Sequence, residues 1–210
     1  SIKDGWFLSS GGFNLIHSQL GLRLKRFIDI SLSIFMIILT LPITVLTSLL
    51  IKLFDRGPVI YKQYRSGLNG KKFKVYKFRS MFPDSDHNHW TMKNDSRITP
   101  IGKFIRLVRI DELPQLINVI KGDMSFIGPR CETIELVTLY EDQIPYYQLR
   151  HLVRPGITGW AQVLYPYGAS VDDAMEKLKY DLYYIKNYSV LLDFSIILKT
   201  VRNVLFGRGR

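Results

Sequence analysis

Residues 109–130, RIDELPQLINVIKGDMSFIGPR, set two carboxylates side by side, Asp111 and Glu112, and follow them with a Gly-Pro-Arg turn. Asp111 can cap a helix that carries Pro114 in its first turn, then Leu113, Leu116, Ile117 and Ile120, and closes at Gly122. The acid pair then stands at a helix N-terminus, where the positive end of the dipole favours a carboxylate or a phosphate, with Arg106 and Arg109 just upstream. Ionised carboxylates beside phosphate-binding cations suit magnesium coordination or attack on phosphorus by the aspartyl-phosphate route. The dipeptide alone also fits a plain N-cap followed by a first-turn acid that balances the dipole. What favours chemistry is the sequel. GDMSFIGPR reads as a short strand entering a loop whose backbone N–H groups, beside Pro129 and the Arg130 guanidinium, can receive a phosphate.

The elements that must hold these residues are legible on either side. Thr99-Pro100 starts a helix that runs to about Val108 and carries Arg106. GPVIYKQYRSGLNGKKFKVYKFRSM reads as a hairpin turning at Asn69-Gly70. Alternation puts Phe73, Val75, Lys77 and Arg79 on one face of its second strand, so Lys77 and Arg79 are either solvated or meet phosphates and headgroups. FPDSDHNHWTMKNDSR is an aperiodic loop, and His87 and His89 lack further nitrogen ligands, so they read as surface residues. RPGITGWAQV is turn-rich; its Arg154 and Trp160 are candidates for nucleotide or headgroup contact, or parts of a structural turn. Ser170 caps a following helix. The terminal stretch LLDFSIILKTVRNVLFGRGR, with Lys199, Arg202, Arg208 and Arg210, suits a helix lying on anionic lipid or one packed on the core.

Residues 30–51 form 22 consecutive positions without a charge, enough helix to cross a hydrocarbon layer about 30 Å thick. Pro42 interrupts this run, so a break or kink is expected there, with Thr40, Thr44, Thr47 and Ser48 at hand to satisfy freed backbone groups. Lys25 and Arg26 precede the run and Lys52, Arg56, Lys62 and Arg65 follow it, so charge bias gives no clear direction of crossing, and two cytoplasmic ends suggest a re-entrant helix-break-helix. A kinked spanning helix is the alternative. Elsewhere 29 Lys and Arg against 18 Asp and Glu give a net charge of +11 and a pI near 9.7, which calls for an anionic partner. One cysteine, Cys131, rules out an intrachain disulfide and a cysteine-based metal cluster.

Through KRFIDI, the hairpin segment, RIDELPQLINVIKGDMSFIGPR, RPGITGWAQV and DLYYIKNYSVLLDFSIILKTV, the chain resembles the bacterial polyprenyl-phosphate hexose-1-phosphate transferases over about residues 23–207. These are monotopic sugar transferases that start exopolysaccharide and O-antigen synthesis. VLYPYGAS after Trp160 is similar to the branch tied to exosortase-type exopolysaccharide systems. The resemblance implies a catalytic Asp111 and Glu112 dyad holding Mg2+, and a re-entrant membrane helix broken at Pro42. It also implies phosphate and substrate binding by Arg106 and by a Pro-Arg-Pro loop represented by Pro129 and Arg130, with Cys131 in place of the second proline. Arg79 and Arg154 complete the expected binding set. Asp111 would attack the sugar-side phosphorus of a UDP-sugar, UMP would leave, and undecaprenyl phosphate would take the phosphosugar, with Glu112 binding metal or tuning Asp111.

The expected fold class is α+β: a membrane re-entrant helix-break-helix, then a compact, mainly helical cytoplasmic domain with a small β-hairpin. Residues 1–22 are expected to be the remnant of an upstream region, 23–54 the membrane helix, and 55–210 the catalytic domain with amphipathic interfacial helices. The expected location is the cytoplasmic face of the bacterial inner membrane. UDP-sugar, undecaprenyl phosphate and membrane lipids are the expected partners, without nucleic acid, and a homodimer is left open. A basic nucleic-acid-binding or scaffold protein would leave the acid pair unexplained. A metal-dependent lipid phosphatase would want a richer ligand set than four histidines scattered along the chain.

Overall fold

Uncharged residues with hydroxyls at helical spacing favour a single long helix, and in a computed structural model, which describes residues 19–82, 95–166, 168 and 170–206, α1 runs from Gln19 to Phe54. Its 36 residues pass through Pro42 without a break, so the chain keeps helical geometry where a helix-break-helix was expected. Pro42 still removes one N–H from the ladder. Neighbouring hydroxyls meet backbone oxygen inside the helix: Thr40 donates to Met36 O, Thr44 to Leu41 O and Ser48 to Thr44 O. An apolar surrounding therefore meets few unpaired polar groups. The helix is long and apolar enough to cross a membrane, and Phe35, Ile38 and Leu39 at its middle are 60–67% exposed.

Both ends of α1 are held by the same folded domain. Near the start, the Arg26 guanidinium donates to Val119 O and Ile120 O, the last carbonyls of α3 (Gln115–Lys121), a favourable place for a cation. Asp29, 4% exposed, accepts from Phe126 N, and Lys25 pairs with Asp193 at 2.9 Å. At the other end Ile51 is fully buried against Phe78 and Ile105, and Asp55 accepts from Thr99 Oγ1 at 2.7 Å.

The hairpin forms as expected. β1 (Ile60–Ser66) pairs antiparallel with β2 (Lys72–Phe78) through a turn in which Asn69 and Gly70 both have positive φ, the conformation Asn-Gly tolerates. Thr99 caps α2 (Pro100–Leu107) by accepting from Gly102 N, also as expected. After α3 comes β3 (Ser125–Ile127), which pairs in parallel with β4 (Gly156–Thr158). The turn-rich reading of RPGITGW missed β4, because a three-residue strand that begins with one glycine and is followed by another carries no periodicity. The remaining helices are α4 (Ile134–Gln143), α5 (Trp160–Leu164), α6 (Val171–Lys186) and α7 (Val190–Leu205). Ser170 and Asp173 form a full capping box on α6.

The architecture is thus mainly helical with two small sheets, in line with the α+β expectation. Its core has one cluster between α4 and α6 (Val137, Tyr140, Tyr147, Leu178, Leu182) and another joining β3, α6 and α7 (Ile127, Tyr184, Ile185, Ile196). α7 leaves Val190, Leu191, Phe194, Leu198 and Val201 exposed, an apolar stripe at helical spacing. α1 already includes Gln19–Leu22, four residues earlier than expected. Residues 1–18, His87, His89, Arg208 and Arg210 lie outside the described residues.

Replacing Asp29 with Ala should leave the Phe126 N–H unpaired in a buried contact, at a cost of about 1–3 kcal/mol. Thermal unfolding in detergent should drop by several degrees, whereas Asp29→Asn, which keeps an acceptor oxygen, should lose much less. Equal losses would show that the carboxylate's charge, not this hydrogen bond, ties α1 to β3.

Candidate active site

The chain leaves α2 through Arg109, whose φ of 57° is left-handed and strained for a residue with a side chain, and enters a 3-10 turn at Ile110–Glu112. This reversal sets Asp111 and Glu112 ahead of α3, not on it. Pro114 holds the N-cap position, and Asp111 makes no capping bond, so the expected N-cap role is replaced by a turn that leaves the carboxylate available. Gly122, with φ 92°, closes α3 as expected.

Glu112 is surrounded by cations from three directions. Lys77 of β2 donates to its Oε1 at 2.9 Å, the Arg130 guanidinium stands 3.8 Å from the same oxygen, and Arg109 stands 3.9 Å from Oε2. Burial alone would raise the pKa of Glu112, but Lys77, Arg130 and Arg109 outweigh it and hold the group at about 2. Asp111 moves the other way. Burial and the neighbouring Glu112 charge push it above the ordinary carboxylate range, against the pull of Lys77, Arg106 and Arg109. Adjacent acids are thereby separated into one fixed anion and one more basic carboxylate, where the sequence suggested two alike. Among the described residues the Asp111 carboxylate has no hydrogen-bond partner. Four cations around two carboxylates leave a positive balance for an anionic substrate.

Two devices position these groups. Asn118, fully buried, accepts from Tyr76 N at 3.0 Å and donates to Lys74 O at 2.7 Å, so its amide pairs with β2 as a neighbouring strand would. That fixes Lys77 of β2 against the turn before α3. On the other flank Gly128 and Gly156 let two backbones meet: Gly128 N donates to Thr158 O and Gly156 N to Pro129 O, both at 2.9 Å. A Cβ at Gly156 would lie 2.0 Å from Gly128 N. Beneath the Pro129-Arg130 loop, buried Arg150 pairs with Asp181 at 2.8 Å and donates to Arg130 O at 3.0 Å.

The structure therefore brings together Asp111, Glu112, Arg106 and Arg130, with Pro129 holding the loop behind Arg130. Two expected binding residues are placed elsewhere. Arg79, 5% exposed, donates to the carbonyls of Asp55 and Arg56 and fastens the end of α1. Arg154 donates from Nε to Gly122 O, at the end of α3 away from the acid pair. Each donates to backbone carbonyls at a helix end, a use of arginine with no sequence signature. Trp160 stacks on Tyr183 with ring centroids 6.3 Å apart. Sequence reasoning gave no role to Asn118, although a lone amide in the apolar run QLINVI was a visible signal. Arg109 was noted only as a neighbour, and its ion pair depends on the left-handed turn.

Magnesium requires one or two carboxylates and completes its shell with water and substrate phosphate. Asp111 and Glu112 satisfy that minimum, and no group of three or more His, Cys, Asp or Glu able to form a dedicated cage occurs among the described residues. The residues fit an ion shared with a diphosphate.

A carboxylate pair is thus set among four cations on a domain fastened to a long apolar helix. The chain belongs to the bacterial sugar transferase family, whose model matches residues 20–207. It is 46% identical over 198 residues to the UDP-N-acetylgalactosamine-undecaprenyl-phosphate N-acetylgalactosaminephosphotransferase of Aeromonas hydrophila, covering 93% of this chain and 47% of that protein. An exopolysaccharide production protein of Rhizobium leguminosarum bv. phaseoli is 44% identical over 90% of this chain and 98% of its own length. The UDP-glucose:undecaprenyl-phosphate glucose-1-phosphate transferase of Escherichia coli (strain K12) is 42% identical over 85% of this chain and 39% of its own. The chain thus spans less than half of two of these three relatives.

Cys131 packs beside Val75, Val119 and Met124, and burial pushes its thiol up. Ellman's reagent at pH 8 should react with the native protein roughly tenfold more slowly than with the unfolded chain. Equal rates would place the thiol in solvent.

Proposed function

We propose that the protein transfers a sugar-1-phosphate from a UDP-sugar to undecaprenyl phosphate, releasing UMP, as the first membrane step of exopolysaccharide synthesis. The observation that carries this reading is the division of labour in the acid pair: Glu112 is tied to Lys77 while the Asp111 carboxylate is unpaired and made more basic. The printed activities of the Aeromonas and Escherichia relatives support the substrates.

In this mechanism an Asp111 oxygen attacks the phosphorus bonded to the sugar. The bridging P–O bond breaks, UMP departs, and the phosphosugar remains on Asp111 as an acyl phosphate. A phosphate oxygen of undecaprenyl phosphate then attacks the same phosphorus, and the Asp111 carboxylate leaves. That nucleophile is already anionic, so no strong general base is needed. Arg106, Arg109 and Arg130 neutralise the phosphoryl oxygens, and Glu112 holds Lys77 and Arg130 in place. Asp111 and Glu112 would hold Mg2+ against the diphosphate, where it supplies charge neutralisation for the departing phosphate.

The reading also places both ends of α1 on the cytoplasmic face of the bacterial inner membrane. One domain binds Lys25, Arg26 and Asp29 at one end and Ile51 and Asp55 at the other, which supports a re-entrant course over a spanning one. The exposed apolar stripe of α7, with Lys199 and Arg202, then lies on lipid.

The covalent step is tested by intact-protein mass spectrometry after incubation with UDP-sugars and Mg2+ but no lipid. About one UMP per site and a phosphosugar adduct are expected, discharged by undecaprenyl phosphate and absent in Asp111→Asn. An unmodified mass alongside full turnover with lipid would make Asp111 a metal or substrate ligand.

The pH profile supplies a second test. Activity should be full when Asp111 is ionised and fall, as pH decreases, along a limb lying above the ordinary carboxylate range. Glu112, held at about 2, stays ionised throughout that limb. Glu112→Gln removes the charge that helps raise Asp111, so in the residual activity the limb should move to lower pH. A limb that stays fixed would separate it from Asp111.

A further inference from the structure

We propose that the groove between α1 and α2 receives the part of the acceptor's isoprenoid chain nearest its phosphate, an inference that rests on the acceptor reading above. The groove has a volume of about 400 Å³. Ile43 and Leu46 of α1 form one wall and Ile101 and Phe104 of α2 the other, with Ile110 between α2 and the acid pair. Thr47, itself almost fully buried, is the one lining residue with a polar side-chain group besides the backbone.

Three features commit the groove to this occupant. Its lining extends from the residue after Pro42, in the middle of the uncharged run, to the residue before Asp111, so it connects the apolar stretch of α1 with the reacting carboxylate. Its walls are open, with Leu46 58% and Phe104 61% exposed, and an apolar chain laid there removes that surface from water. None of the lining residues is charged, and Arg106 and Arg109, both of which act electrostatically on Asp111, bring positive charge to the Asp111 end. A ligand that is hydrocarbon along its length and phosphate at its tip matches that order. A nucleotide sugar has no such chain, and a phospholipid places glycerol between chain and phosphate.

Leu46→Trp and Ile101→Trp fill the groove from opposite walls without adding charge. In detergent micelles each should raise the KM for undecaprenyl phosphate about tenfold, while the lipid-free UMP burst and adduct yield stay at wild-type values. Leu139→Trp, on α4 and partly exposed, controls for a surface tryptophan and should change neither. Circular dichroism identifies any variant that misfolds, and the other filled wall then carries the test. An unchanged KM in a folded filled variant overturns the assignment. So does a rate that follows added phospholipid instead of the acceptor, which would put an ordinary acyl chain in the groove. A raised KM together with no wild-type adduct keeps the groove and removes only the covalent step. Absence of wild-type turnover with undecaprenyl phosphate removes both readings.

Discussion

Two neighbouring carboxylates cannot both be charged in a half-dry pocket unless cations are brought to them from elsewhere in the chain. Here that requirement falls on the Lys77–Glu112 ion pair, 2.9 Å long and largely sheltered from solvent. At an effective dielectric near 20 such a pair gains about 6 kcal/mol, which offsets much of the cost of keeping Glu112 ionised. The rest of the site follows from the placement of Lys77. β2 is held in register by β1, with Lys77 opposite Tyr61, and Asn118 fixes β2 against α3. A slip of one residue would turn Lys77 to the other face of the hairpin.

Arg130 stands near the same Glu112 oxygen, and its position depends on backbone approach more than on side-chain packing. Gly128 and Gly156 meet where no Cβ fits, and the buried Arg150–Asp181 pair holds the carbonyl of Arg130. Burial pushes Asp181 up to about 6 even against the pull of Arg150. A pair with so large a desolvation cost contributes position more than stability. The loop keeps its place although Cys131 stands where a second proline would have stiffened it.

Much of this was legible in the residues because it is local. The Thr99-Pro100 start, the Asn69-Gly70 turn, the Ser170 cap and the Gly122 stop are each fixed by a few adjacent side chains, and each forms as expected. The acid pair, Arg106 and Arg130 were likewise visible as types at a spacing. What was not legible depends on partners far away in the chain. Arg79 and Arg154 look like free cations until the helix ends they serve are known. β4 exists only because β3 lies beside it. The opposite drifts of Asp111 and Glu112 follow from which cation reaches which oxygen, a matter of ångströms that residue order does not encode.

The clasp on both ends of α1 also imposes an order of events during synthesis. Lys25 leaves the ribosome 168 residues before its partner Asp193. At 5–20 residues per second that gap is roughly 10–30 s. Contacts nearer in the chain, Ile51 with Phe78 and Ile105 and Asp29 with Phe126 N, become available well before the Lys25–Asp193 pair can close the clasp. A ribosome that stalls before α7 would leave the Lys25 ammonium without its carboxylate partner, and the clasp on the start of α1 incomplete.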